Sequence, residues 1–274
     1  MIREMFSLSF IVQAMFAGVL VALCAALLGV SLVLKRYSMI GDGLSHVGFG
    51  TLAIAMALNM APMQVSIPLV LLAAFFLLRL SENSKIKGDA AIALVSSSAL
   101  AIGVMIIART EGITAGTCNY LFGSILAMQR GDFYLSVAVS IVVLILYILF
   151  YNEIYAVTFD ENFAKAIGIK TGIYNMLIAC LTALVIVVGM RMMGALLISS
   201  LIIFPALTSM RVFQRFKCVV ICSAVLSVVC FFVGMMVSYA WDSPAGASIV
   251  VVNLAMFLMF AVLGGVRKRV YRKI

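Results

Sequence analysis

Charge is scarce in this chain: of 274 residues only 11% are Asp, Glu, Lys or Arg, while 65% are hydrophobic. That balance excludes a soluble globular domain, because the polar residues are too few to cover a core of that size, and the bilayer must be the solvent. Histidine is scarcer still, with His46 the single example. Asp42 beside His46 has no second intramembrane acid, and the intramembrane serines have no other histidine to act as base, which argues against an intramembrane hydrolase. Six cysteines are scattered, five of them (Cys24, Cys180, Cys218, Cys222, Cys230) within apolar stretches and only Cys118 in a loop, so no disulfide framework is implied. No G-x-x-x-x-G-K-[ST] phosphate loop occurs, so ATP hydrolysis would have to come from another chain.

What is present is long apolar text, with a mean hydropathy of +1.24. Stretches near the roughly 20 residues that cross the hydrocarbon fall at about 10–34, 39–58, 63–80, 90–108, 133–151, 173–190, 193–210, 217–240 and 246–266. The expected fold is all-α: a polytopic membrane helical bundle of about nine transmembrane helices, within a range of eight to ten. Residues 120–128, YLFGSILAM, are apolar but too short to cross, and read as a re-entrant or interfacial helix at the outer mouth. The first apolar run is too long for a signal-peptide core, and Leu23 in VALC stands where a lipoprotein cleavage site wants a small residue, so it counts as a span.

With nine spans, Lys35, Arg36, Arg79, Lys85, Lys87, Lys165, Lys170, Arg211, Arg215, Lys217, Arg267, Lys268, Arg269, Arg272 and Lys273 share one side, and only Arg3, Arg109, Arg130 and Arg191 the other. The positive-inside rule makes the first side cytoplasmic, with the N-terminus outside and the C-terminus inside; a tenth crossing would reverse everything before it. The formal charge of +9 is then basic residues beside anionic membrane lipid, and no argument for nucleic acid.

Four polar stretches interrupt the apolar text. In GDGLSH, residues 41–46, Asp42 and His46 are four apart, so on a helix both face one spot. A carboxylate with an imidazole suits Zn²⁺, Mn²⁺ and related borderline ions. Two other readings stand beside this: the two side chains simply bond each other, or Asp42 caps the helix start. An acid at the bilayer centre costs about 2.5–3.5 kcal/mol on insertion scales. Two ligands from one helix hold an ion loosely, which suits transit more than storage.

In TFDENFAKAIGIKTG, residues 158–172, Asp160 can cap a short helix, Phe159, Phe163 and Ile167 recur at helical spacing, and Gly168 can end it in a left-handed turn. Such a helix either lies in the headgroups or docks into a partner's groove.

Taken in order, GDGLSHVGFG (41–50), YLFGSIL (120–126), FDENFAKAIGI (159–169), GALLISSLIIFPALTS (194–209) and DSPAGASIV (242–250) resemble the motifs of the zinc and manganese class of permease subunits of bacterial ABC importers. The resemblance implies one permease domain over residues 1–274 in the bacterial cell membrane, without tightly bound cofactor, carrying Zn²⁺ or Mn²⁺ as substrate. It also implies partners: a second permease copy or a close relative of it, two ATP-binding cassette subunits on the cytoplasmic side, and an extracytoplasmic metal-binding protein. The metal path carries over to Asp42 and His46, and coupling to the ATPase to the element at about 159–169, with Phe159, Asp160, Phe163, Ala164 and Gly168 as its positions. Gly43 departs from the pattern, for many relatives carry a small hydroxyl residue there.

In the other two stretches, Pro205 can bend its span, as a gate or as a static kink. Asp242 in the outer turn either attracts cations or the binding protein, or caps a helix. Cys218 and Cys222 share a helix face, and Met192, Met193, Met235 and Met236 fall toward the outer ends of spans; packing is the expected role of both sets. A secondary transporter or channel for divalent metal is the competing functional class, and the coupling pattern argues against it.

Overall fold

The computed structural model describes residues 9–83, 88–110 and 130–271. All regular structure among them is helical: α1 (Ser9–Leu34), α2 (Ser38–Ala57), α3 (Pro62–Asn83), α4 (Gly88–Thr110), α5 (Arg130–Leu149), α6 (Tyr151–Phe159), α7 (Glu161–Ala166), α8 (Thr171–Met193), α9 (Ala195–Met210), α10 (Phe216–Trp241) and α11 (Ala245–Tyr271). Seven of these, α1, α3, α4, α5, α8, α10 and α11, are long and apolar enough to cross a membrane. The remaining two of the nine expected stretches are also helices: α2 has 20 residues broken by its polar letters, and α9 is apolar with 16. Segment 120–128 and Cys118 lie outside the described residues.

α1 forms the axis because its side chains are small where neighbours approach. Ala14, Ala17, Ala22, Ala25 and Ala26 are buried, and a Cβ on Gly29 would stand 1.9 Å from the carbonyl oxygen of Ile202 in α9. Lipid is as apolar as leucine, so helices here associate through close backbone approach and hydrogen bonds rather than escape from water. The bonds are present: Ser227 and Ser223 of α10 donate to the carbonyls of Ala22 (2.8 Å) and Ala26 (3.3 Å). Around this axis α2, α3, α8, α9 and α10 pack on one another, while α4, α5 and α11 bound the bundle with only 22–28% of their spans buried.

α8 and α9 form a hairpin turned by Gly194 alone, at φ 85°. Along α1, Gly189 of α8 meets Val21, Met193 meets Gly18, and Ile202 of α9 meets Gly29, so the two helices run antiparallel. The tip lies at the level of Gly18, six residues inside Val12 where the α1 span begins, or roughly 9 Å deep at 1.5 Å per residue. Met192 and Met193 are thus core residues of the hairpin tip, each 1% exposed, rather than part of an outer rim.

The same depth explains Arg191, which the charge count had assigned to an outer loop. It ends α8 inside the bundle, where its Nε donates to Asp132 Oδ2 at 2.9 Å. Asp132 sits in the first turn of α5 and Arg191 in the last turn of α8, so each charge also opposes its own helix dipole favourably.

The chain continues as helix beyond the fifth span, where loop was expected. Tyr147, Tyr151 and Tyr155 follow at i, i+4 spacing, and Tyr151 and Tyr155 stack on Phe216 with ring centroids 5.9 and 4.9 Å away. That packing carries α6 out to Phe159.

Candidate functional site

Asp42 and His46 stand in the second and third turns of α2. The N-cap is Tyr37, without a side-chain cap bond, so Asp42 does not cap the helix. Gly41 abuts Ile202, at the level of Gly29, and Gly48 abuts Met190, next to Gly189 at the level of Val21. The pair between them therefore lies near the middle of the bilayer, since the α1 span runs from Val12 to Leu34.

His46 Nε2 is 3.7 Å from Asp42 Oδ2, too long for a hydrogen bond. A metal at about 2.0–2.2 Å from each atom would span that gap at an angle of roughly 120°. The side chains are 25% and 42% exposed, so the face they share is open on the isolated chain. Nδ1 of His46 is buried with no hydrogen-bond partner among the described residues, so no acceptor fixes which ring nitrogen carries the proton. No group of three or more His, Cys, Asp or Glu side chains occurs among the described residues, so further donors must come from outside this set. The same holds for Cys218 and Cys222, which stay in their packing role.

At the other polar stretch, Asp160 caps α7 through Oδ1, which accepts from the amides of Asn162 and Phe163 at 3.0 Å each. Gly168, at φ 89°, closes it in the left-handed conformation that disfavours any side chain. Ala164 is fully buried under the helix, whereas Phe159, Phe163 and Ile167 are 75%, 60% and 56% exposed. Phe163 on α7, its C-cap Ile167 and Phe159 at the end of α6 thus expose large apolar side chains around a short helix whose underside, at Ala164, is buried.

That helix is held electrostatically. Glu161 Oε2 lies 3.5 Å from Lys35 Nζ at the end of α1, and Oε1 lies 2.9 Å from Lys165. Asn175, buried in α8, donates to Glu161 at 3.4 Å and accepts from Lys35. Burial pushes the Glu161 carboxyl up, but the Lys165 bond, the Lys35 charge, the Asn175 amide and the Lys165 charge together hold it below its ordinary value.

The bundle thus carries an acid–imidazole pair on a partly exposed face of α2 and, where α6 leaves it, a short helix tied back to α1 and α8. The ABC 3 transport family model matches residues 7–264.

The chain belongs to that family.

It is a multi-pass protein of the cell membrane and a member of a family of metal ABC transporter permeases. The manganese import system permease protein ScaB of Streptococcus gordonii is 29% identical over 273 residues, covering 100% of this chain and 98% of that one. The high-affinity zinc uptake system membrane protein ZnuB of Haemophilus influenzae is 29% identical over 247 residues, covering 90% and 94%. Among solved structures, PsaBC from Streptococcus pneumoniae in complex with Fab superposes with a TM-score of 0.84 at 30% identity, over 95% of each chain.

Within this ABC 3 family member the departure at Gly43 has a packing account. Gly43 and Gly50 lie seven apart on the α2 face that meets α4, three before and four after His46: a Cβ at Gly43 would reach Ile92 Cγ2 at 2.6 Å, and one at Gly50 the carbonyl oxygen of Ala99 at 2.8 Å. The first obstacle is the branch methyl of a stiff β-branched residue and the second is backbone. Gly43→Ser is therefore expected to lower the melting temperature, and Gly50→Val to cost about 1–3 kcal/mol from overpacking. Melting curves of both purified variants check this; an unchanged Gly43→Ser would mean that α4 moves Ile92 aside.

Pro205 is buried inside α9, which stays helical across it from Ala195 to Met210. Asp242 takes the left-handed conformation (φ 48°) and ends α10 through its backbone, whose N–H donates to Ser238. Beside Asp42 and His46, Ser45 donates to the Asp42 carbonyl at 2.7 Å, and Ser199 of α9 reaches the Ser45 hydroxyl at 3.4 Å. Sequence reasoning missed Ser199, Glu161, Lys35 and Asn175. A buried asparagine in the first turns of an apolar span was the one local signal for that last group; the partners of Glu161 are too far away in sequence to form a pattern.

Proposed function

We propose that this chain, as a single domain over residues 1–274, is the permease subunit of an ATP-driven importer of divalent transition metal, zinc or manganese. The observation that carries the reading is the Asp42–His46 pair, accessible at mid-membrane at a separation a metal ion can bridge. Metal, the substrate, passes Asp42 and His46; no tightly bound cofactor is required. The open face of the pair suits a second copy of the permease, whose own pair and bound water would complete the coordination shell.

The driving reaction belongs to ATP-binding cassette subunits docked on α7. Phe159 and Phe163 supply the apolar knob, Asp160 and Gly168 fix its two ends, and Ala164 lets it sit close to the bundle. Moving a conformational equilibrium from 1:99 to 99:1 takes about 5.5 kcal/mol of differential binding. Nucleotide on the partner subunits supplies it, and Pro205 is where α9 can bend as the path switches sides. An extracytoplasmic metal-binding protein delivers the ion to the outer mouth.

The test is reconstitution into vesicles with and without the ATPase subunits and the binding protein, following zinc and manganese entry. Uptake that needs ATP and both partners is expected. Uptake by the permease alone would make it a secondary transporter or channel and overturn the reading.

A second outcome concerns the tether. Glu161 is 38% exposed, so Glu161→Gln should cost less than about 1 kcal/mol of stability. Metal moved per ATP hydrolysed is nevertheless expected to fall several-fold, because α7 is no longer strapped to α1 and α8. Unchanged stoichiometry would show that the knob alone transmits the motion.

A further inference from the structure

A cavity of about 990 Å³ opens at the cytoplasmic end of the bundle, between α6, the end of α1 and the α9–α10 turn. Its walls are aromatic, with Tyr151, Tyr155 and Phe216 stacked along one side. Its deep part is built from the inner ends of membrane spans, Leu34 of α1 and Val219 of α10 among them. Two cations, Arg215 and Lys217, line it, and no acidic residue does. Neither cation makes an ion pair among the described residues.

A ligand for this groove must be anionic at one end and apolar at the other. We propose that the groove binds an anionic phospholipid of the inner leaflet, with the phosphate on Arg215 and Lys217 and acyl chain along Tyr151, Tyr155 and Phe216. A soluble anion would satisfy only the cations and leave the aromatic wall bare. A cytoplasmic protein would have to reach below the headgroups to fill the part lined by Leu34 and Val219, whereas lipid is already at that depth. Two cations near an anionic surface each contribute about fivefold, so the preference over a zwitterionic lipid should be roughly thirtyfold. Because Phe159 lines the same cavity, one residue before the Asp160 cap of α7, the bound lipid also contacts the root of the cytoplasmic helix.

A reporter at the groove tests this on the full chain in lipid nanodiscs. Tyr155→Trp in a Trp241→Phe background leaves one tryptophan, whose quenching by brominated phosphatidylglycerol and brominated phosphatidylcholine is compared. Half-quenching is expected at a roughly thirtyfold lower mole fraction of the anionic lipid. The double variant Arg215→Gln, Lys217→Gln should abolish that preference while its helical circular dichroism and melting temperature stay as in the parent, and Arg215→Lys with Lys217→Arg should keep it. Equal quenching by both lipids, a preference that survives the double variant, or displacement of the lipid by millimolar inorganic phosphate would each overturn the proposal. So would a double variant that keeps its lipid preference but no longer assembles with the ATPase subunits, since the groove would then be a protein contact.

Discussion

Asp42→Ala and His46→Ala are each expected to lower metal uptake by the assembled importer more than 100-fold. Removing groups that merely orient a ligand typically costs 10–100-fold in metal affinity or activity, and here one of the two proposed donors would itself be lost. The ATPase complex should still assemble, because both side chains are partly exposed and neither caps the helix. A merely structural pair behaves differently: its loss would alter melting temperature and leave transport per assembled complex intact. His46→Asp separates the two accounts further. An all-oxygen pair suits manganese better than zinc, so residual uptake should shift toward manganese if the pair touches the ion. No change of metal preference in a variant that still transports would place selectivity elsewhere.

The second large effect lies at the opposite end of α8. Asp132 and Arg191 are 13% and 14% exposed, and Nη1 of Arg191 is buried without a partner. Asp132→Asn removes the only charge opposing that guanidinium among its described contacts. Breaking one side of a buried pair costs about 3–5 kcal/mol, because the remaining charge is left uncompensated in a medium that solvates it poorly. Arg191→Met is expected to cost a similar amount through the stranded carboxylate. The double variant should recover most of the loss, since an apolar replacement of both partners is often neutral or better. A double-mutant cycle on unfolding free energy reads the coupling directly. Additive losses would mean that the two residues act through separate packing rather than through their charges.

The class and span pattern were legible because hydrocarbon tolerates so few backbone arrangements. Nine apolar stretches became nine helices, and Asp42 and His46 of GDGLSH came to share one helix face, since i, i+4 spacing on a helix is geometry the sequence carries locally. What sequence could not supply was depth. Arg191, Met192 and Met193 read as outer-rim residues because they end a span, yet the one-residue turn at Gly194 sets that end below the surface. Nor could it supply contacts between distant segments. Lys35 and Glu161 both looked like ordinary cytoplasmic charges, and only the meeting of α1, α7 and α8 makes them a unit.

From Arg130 to Phe159 the chain is helical save for the turn at Phe150, about 45 Å of arm at 1.5 Å per residue, against roughly 30 Å of hydrocarbon. α7 follows the protruding end of that arm, and the Glu161 contacts tie it a second time, to Lys35 after α1 and Asn175 of α8. If the proposed ATPase contact falls on Phe163, a push there has two routes into the bundle: along the arm, whose hydrogen bonds run on across Phe150, and through the strap to α1 and α8, both of which pack on α2.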